Sequence, residues 1–237
     1  MNSKKQQFSK SRRNILQLGA GAIGTGLLTA GIGSQFDLSV QAAEDNNMSP
    51  DQALKLLMDG NKRFTTNKPQ NVNRSLDRLR AIAKAQNPFA AILGCADSRV
   101  PAEIIFDRGF GDLFICRIAG NVATAEEIGS LEFGTLALGA KVIMVLGHER
   151  CGAVDATIKG AQVPGQIASL LDAIKPAIPR SAGQPGDKLV NATKANVLVQ
   201  AEKLKASPVM SQLIKEGKLK IVGGYYDLDS GVVSMVS

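Results

Sequence analysis

Along most of the chain, short unbroken apolar runs take turns with stretches whose apolar residues recur every three or four positions. The unbroken runs are Phe89–Gly94 (FAAILG), Asp112–Ile118 (DLFICRI), Lys141–Gly147 (KVIMVLG) and Leu219–Tyr226. Their shortness and lack of polar interruption predict buried strands. Ser49-Pro50-Asp51-Gln52 predicts a helix start, with Ser at the cap, Pro at the first position and Gln three residues after the cap. Ala53, Leu54, Leu57 and Met58 follow at helical spacing. A second short helix is expected over Ser75–Gln86, stopping before Asn87-Pro88. Thr124-Ala-Glu-Glu127 reads as a capping box opening a helix that carries Ile128, Leu131, Leu136 and Leu138. Strand, helix, strand in that order favours parallel pairing with a right-handed crossover. Residues 152–218 read as mostly helical, with Pro179–Asp187 as a surface loop. Asp229-Ser-Gly231 marks a turn into a last edge strand, Val232–Val236. The expectation is an α/β domain: a mostly parallel sheet with an antiparallel edge strand, flanked by helices. Such sheets place ligands beyond the carboxyl ends of their strands.

The first forty or so residues follow different rules. Met1–Arg13 is polar and basic, Ile15–Ile32 is apolar and glycine-rich, and Val40-Gln41-Ala42 offers small residues for cleavage. That is the layout of a removable signal peptide. It divides the chain into a leader, 1–42, and a globular domain, 43–237. Arg12-Arg13, within Ser11-Arg-Arg-Asn-Ile-Leu-Gln17, resembles the twin-arginine export motif, with Ile15 and Gln17 departing from the usual residues. Export to the periplasm or cell envelope is the expectation, with the thylakoid lumen as the other destination. Membrane contact is expected only in passing, through the leader. The net charge of +7 changes meaning here, because five of the cations and only Asp37 among the anions lie in the leader. With aromatic residues at 4%, base-stacking platforms are scarce, and nucleic acid is not an expected partner.

Three cysteines and a single histidine narrow the candidate chemistry. Cys95 ends one apolar run, and His148-Glu-Arg-Cys151 follows another. Thiolate and imidazole suit zinc, and three protein ligands leave a fourth position open for catalysis. Alone, the His-x-x-Cys spacing is weak, since buried Cys is common. The flanking residues add more. Cys95-Ala-Asp97-Ser-Arg99 paired with His148-Glu-Arg-Cys151-Gly-Ala153 resembles the two signature motifs of the β-class carbonic anhydrases. Resemblance continues through Val100-Pro101-Ala-Glu103, Phe114–Asn121 (FICRIAGN), Gly129–Gly139 (GSLEFGTLALG) and Tyr226–Val232, and spans the chain from about Ser49 onward. Ile118 departs from the Asn that many members carry after the arginine.

The resemblance implies a β-carbonic anhydrase fold and reversible hydration of carbon dioxide to bicarbonate. It also implies one zinc per subunit on Cys95, His148 and Cys151, and a catalytic dyad of Asp97 and Arg99. Some members show a closed state in which the aspartate equivalent to Asp97 itself joins the metal. With the only histidine assigned to zinc, none remains to shuttle protons. Gln86, Phe114 and Phe133 match positions around a plant-type substrate pocket, where an amide donor and apolar walls suit a small molecule becoming an anion. Each has a plainer reading: Gln86 as a helix end, both phenylalanines as core. Cys116, between apolar neighbours, reads as buried core. The resemblance further implies a homodimer or a multiple of dimers, with N-terminal helices wrapping a partner. Two other functions fit the same scaffold: hydrolysis of carbonyl sulfide or carbon disulfide, and non-catalytic zinc or anion binding. Intact Asp97 and Arg99 speak against the second.

Overall fold

The computed structural model describes residues 47–237. The leader 1–42, with its arginine pair, lies outside the described residues. Five strands form one sheet in the order β2-β1-β3-β4-β5: β1 (Ala90–Gly94), β2 (Leu113–Arg117), β3 (Val142–His148), β4 (Lys220–Tyr226) and β5 (Val233–Val236). β1 runs parallel to both β2 and β3, β3 parallel to β4, and β5 antiparallel to β4. The helices are α1 (Pro50–Thr65), α2 (Leu76–Ala81), α3 (Ala102–Ile105), α4 (Ala125–Glu132), α5 (Gly152–Ile158), α6 (Ile167–Ile174), α7 (Ala177–Ser181), α8 (Lys188–Lys205) and α9 (Pro208–Lys215). Among the described residues no helix is long and apolar enough to cross a membrane.

The unbroken apolar runs are explained by what covers each face. On one side Ala90, Ile92, Val142, Met144 and Leu146 pack with Ala53 and Leu57 of α1 and Ile105 of α3. On the other, Ala91, Leu93, Ile143 and Val145 pack with Val197, Ala201 and Leu204 of α8. Successive side chains point to opposite faces, so covering both faces demands apolar residues at every position.

α1 starts as expected: Gln52 N–H donates to Ser49 Oγ at 3.2 Å, and Ser49 N–H donates to Gln52 Oε1 at 2.8 Å. Its buried Asn61 ties distant parts of the chain together. The Asn61 amide donates to the carbonyls of Ile105 (3.2 Å) and Gly231 (2.9 Å), and its oxygen accepts from Val233 N–H (2.9 Å).

Several expectations shift. α2 ends at Ala81, five residues short of the expected Gln86, because its exposed Leu76 and Leu79 find no core in one chain to extend it. Thr124 caps no backbone N–H of α4; its hydroxyl is engaged by the Glu126 and Glu127 carboxylates instead. α4 then passes into a π-helical turn, Phe133–Ala137, which buries Leu138 but turns Leu136 outward. The expected loop 179–187 begins inside α7.

Candidate metal centre

After β1 the chain crosses to β2 on one side of it, and then to β3 on the other. That reversal opens a crevice between the carboxyl ends of β1 and β3. Cys95 is the first residue beyond β1 and His148 is the last of β3, so the reversal brings both to one place. Cys151 returns through a tight turn. Arg150 adopts the left-handed conformation (φ 53°), uncommon for a residue with a β-carbon, and Cys151 becomes the cap of α5. Arg150 is anchored there by Glu149 (3.0 Å) and Asp229 (2.5 Å). The ligand atoms of Cys95, His148 and Cys151 all lie within 4.8 Å of one another, and all three residues are buried.

The donor set fits a zinc ion. His148 donates its Nδ1–H to the Glu149 carbonyl at 2.9 Å, which leaves the Nε2 lone pair free. That Nε2 is buried without a hydrogen-bond partner, a costly state that a cation would relieve. The two sulfurs make the same demand. Cys95 is held well below the usual thiol range, above all by the neighbouring Cys151 thiol, with the Gly120 N–H adding to it. Cys151 is pushed up by the neighbouring Cys95 sulfur and by burial. Two thiolates cannot share a buried site without a counter-charge, and a dication with nitrogen and sulfur ligands supplies one.

Asp97 stands beside this cluster, its Oδ2 3.9 Å from His148 Nε2. Arg99 grips the carboxylate with a two-point fork, Nε to Oδ1 at 2.9 Å and Nη2 to Oδ2 at 2.8 Å. The Arg99 backbone N–H adds a third bond to Oδ1 at 2.9 Å. This fork above all holds the carboxyl far below the ordinary aspartate range.

Two residues without a sequence-assigned role also touch the site. Gly120 N–H donates to Cys95 Sγ at 3.3 Å, and Arg117 donates from Nε to the Cys95 carbonyl at 2.9 Å and from Nη2 to the Asp97 carbonyl. A cation ending the apolar run of β2, opposite Gly94 in register, was the available signal for Arg117.

The expected pocket residues are less buried than the three donors. Gln86 is exposed in the segment between α2 and β1. Phe114 is half-buried, its ring against Gly134, and Phe133 is 37% exposed. Cys116 is half-buried rather than fully buried, because β2 is an edge strand; burial pushes its thiol up to about 11.

The family model described as carbonic anhydrase matches residues 90–233. Carbonic anhydrase 2 of Mycobacterium tuberculosis is 37% identical over 190 residues, covering 78% of this chain and 92% of that protein. Among solved structures, the β-carbonic anhydrase CcaA is similar with a TM-score of 0.62 at 25% identity, over 78% of this chain and 95% of that one. One of two tetrameric β-carbonic anhydrases from the ascomycete Sordaria macrospora shares the fold with a TM-score of 0.63 at 20% identity, over 78% and 96%.

Proposed function

The chain belongs to the carbonic anhydrase family, β class, and from that premise we propose that Cys95, His148 and Cys151 hold its zinc while Asp97 and Arg99 orient the reacting water. The reaction is the reversible hydration of carbon dioxide to bicarbonate and a proton, and the cofactor is zinc. The observation that carries the assignment is one imidazole nitrogen and two sulfurs converging beside a carboxylate already fixed by an arginine.

Zinc at this position supplies a Lewis acid that makes water a nucleophile near neutral pH. The protein residues do the rest. His148 presents Nε2 because Nδ1–H is committed to the Glu149 carbonyl. Asp97 accepts a hydrogen bond from the reacting water and aims its lone pair at the carbon of CO2. Both carboxylate oxygens are already engaged by Arg99, which suits a group that orients the water. Arg99 keeps that carboxylate ionised and pointed. His148 being the only histidine and buried, the released proton leaves through water and buffer.

Gln86, Phe114 and Phe133 are proposed to form a plant-type substrate pocket once a second copy closes over them. The exposure of Phe133 and Leu136 on one side of the chain supports such a partner, as does the tetrameric state named for the Sordaria proteins. The proposed assembly is a homodimer or a multiple of dimers. The basic and apolar leader with Arg12-Arg13 supports export to the cell envelope.

Stopped-flow CO2 hydration on the chain lacking residues before Ala43, with zinc measured on the same sample, tests the assignment. Rapid hydration with stoichiometric zinc is expected. A zinc-loaded chain that leaves the hydration rate at its background value would refute it.

A further inference from the structure

We propose that Arg117 is a positioning residue for this reaction, holding the loop that carries both Cys95 and Asp97 in one fixed register. The inference rests on the reading that Asp97 orients the reacting water.

Cys95 and Asp97 sit on the segment just after β1, which has no regular secondary structure of its own before α3. Side chains on such a segment are only as well placed as its backbone. Within the loop, Val100 N–H bonds to the Asp97 carbonyl at 3.1 Å. The Asp97–Arg99 fork fixes the carboxylate relative to Arg99, but Arg99 rides on the same loop and is exposed, so the fork would move with the loop. Among the described residues, the side chain that hydrogen-bonds the loop backbone at Cys95 and Asp97 from outside is Arg117. Its guanidinium donates from Nε to the Cys95 carbonyl and from Nη2 to the Asp97 carbonyl, spanning the residue between them.

Arg117 is itself anchored by the sheet. It pairs in register with Gly94, the last residue of β1, and the next residue, Ile118, donates its N–H to the Gly94 carbonyl at 3.1 Å. The guanidinium is planar and rigid, so two bonds from one fork fix both the distance and the angle between the carbonyls. The metal donor and the orienting carboxylate are thereby referred to one strand end. Lysine, a single point charge on a flexible stem, can reach one carbonyl but cannot impose the angle.

The same segment of β2 and its turn also supplies the Gly120 N–H that bonds Cys95 Sγ. One short stretch therefore holds the backbone of Cys95 through Arg117 and its sulfur through Gly120. Among the described residues, no second hydrogen bond ties Asp97 to the sheet. The angular placement of Asp97 is thus the property most exposed to loss of the guanidinium, and zinc binding the least.

The test is Arg117→Met and Arg117→Lys in the zinc-loaded chain, compared with wild type by steady-state CO2 hydration, zinc content and thermal unfolding. Misplacement of an orienting group by a fraction of an ångström to an ångström is expected to lower kcat about 10- to 100-fold in R117M. KM should stay within about threefold, because Arg117 reaches backbone rather than substrate. R117K should fall between the two, and both variants should keep stoichiometric zinc. Cobalt substitution adds a readout independent of turnover: the thiolate-to-cobalt absorption of R117M should match wild type, showing an intact donor set. R117M turning over within about twofold of wild type would overturn the proposal, as would a loss of turnover that tracks loss of metal. If R117M fails to fold, R117K decides, since a lysine variant as fast as wild type overturns it equally. A zinc-loaded wild type without hydration activity would instead sink the reading on which the inference rests.

Discussion

Replacing Gly120 with alanine perturbs the metal centre through the backbone without touching a ligand. Gly120 sits at φ 74°, a left-handed conformation that costs an L-residue roughly 1–2 kcal/mol. A β-carbon there would stand 2.6 Å from Ile174 Cδ1 and 3.3 Å from Ala153 Cβ. Ile174 is fully buried, so making room forces a rotamer change in packed core, an overpacking cost of about 1–3 kcal/mol. The two add to about 2–5 kcal/mol, a fall in melting temperature of roughly 5–20 °C for a domain of this size. Relief of the clash also rotates the Gly120 N–H away from Cys95 Sγ, and losing such a supporting bond typically weakens metal binding about 10- to 100-fold. Thermal unfolding of the zinc-loaded protein and competition against a chromophoric chelator read the two effects separately. Ile174→Val in the same background removes the colliding methyl. It should restore the overpacking share and, with the clash gone, most of the zinc affinity, but not the backbone share. A G120A protein melting within about 1 °C of wild type and binding zinc within about twofold would refute the reasoning. So would complete rescue by the valine.

On the proposed role, in which Asp97 orients the water while Arg99 holds it by charge, Asp97→Asn should lower kcat on the order of 100-fold while leaving zinc bound; zinc analysis beside stopped-flow rates checks both halves. Asp107 offers a stability test away from the metal. It is fully buried, accepts from the Gln70 and Asn71 N–H groups at 2.9 Å each, and pairs with Arg63 at 2.7 Å. Burial opposes its charge, yet these partners together hold its carboxyl below the ordinary value of 3.8. Its stabilisation is therefore complete above about pH 4 and fades as pH falls through the lower folded-state value. Asp107→Asn should cost about 3–5 kcal/mol at neutral pH, and the gap in melting temperature should narrow on acidification below that point; a gap independent of pH counts against it. Turnover should rise with buffer concentration, since no second histidine exists to relay the proton. Buffer-independent turnover in a buffer titration at constant pH and ionic strength would reveal another relay.

The strands were legible because both faces of the sheet are covered, which leaves no polar alternation to blur the apolar runs. α1 was legible because both bonds of its capping box form as the sequence pattern requires. The donors Cys95, His148 and Cys151 could be read together only through the paired motifs, since proximity depends on a strand order that no local spacing reveals. α2 was overextended for a physical reason. Its apolar side chains face outward in a single chain, so helical spacing there reports a surface rather than a core. Cys116 packs against the core as expected but is only half-buried, because nothing in DLFICRI distinguishes an edge strand from a central one. Arg117 and Gly120 went unassigned because they act through backbone atoms, which carry no residue-type signature.

The spacing of the donors along the chain gives the metal a mechanical meaning. Between Cys95 and His148 the polypeptide travels out through β2, back through α4 and into β3 before the donors meet. On the proposed ligand set, an ion held at both ends would be a clasp on that whole excursion, and pulling β1 from β3 would mean first giving up the ion. Zinc at the proposed site would bind the assembled chain more tightly than its separated segments, and its free concentration would then shift the equilibrium of the central sheet by mass action. Scarcity of the ion would then shorten the lifetime of the folded protein as well as silence it.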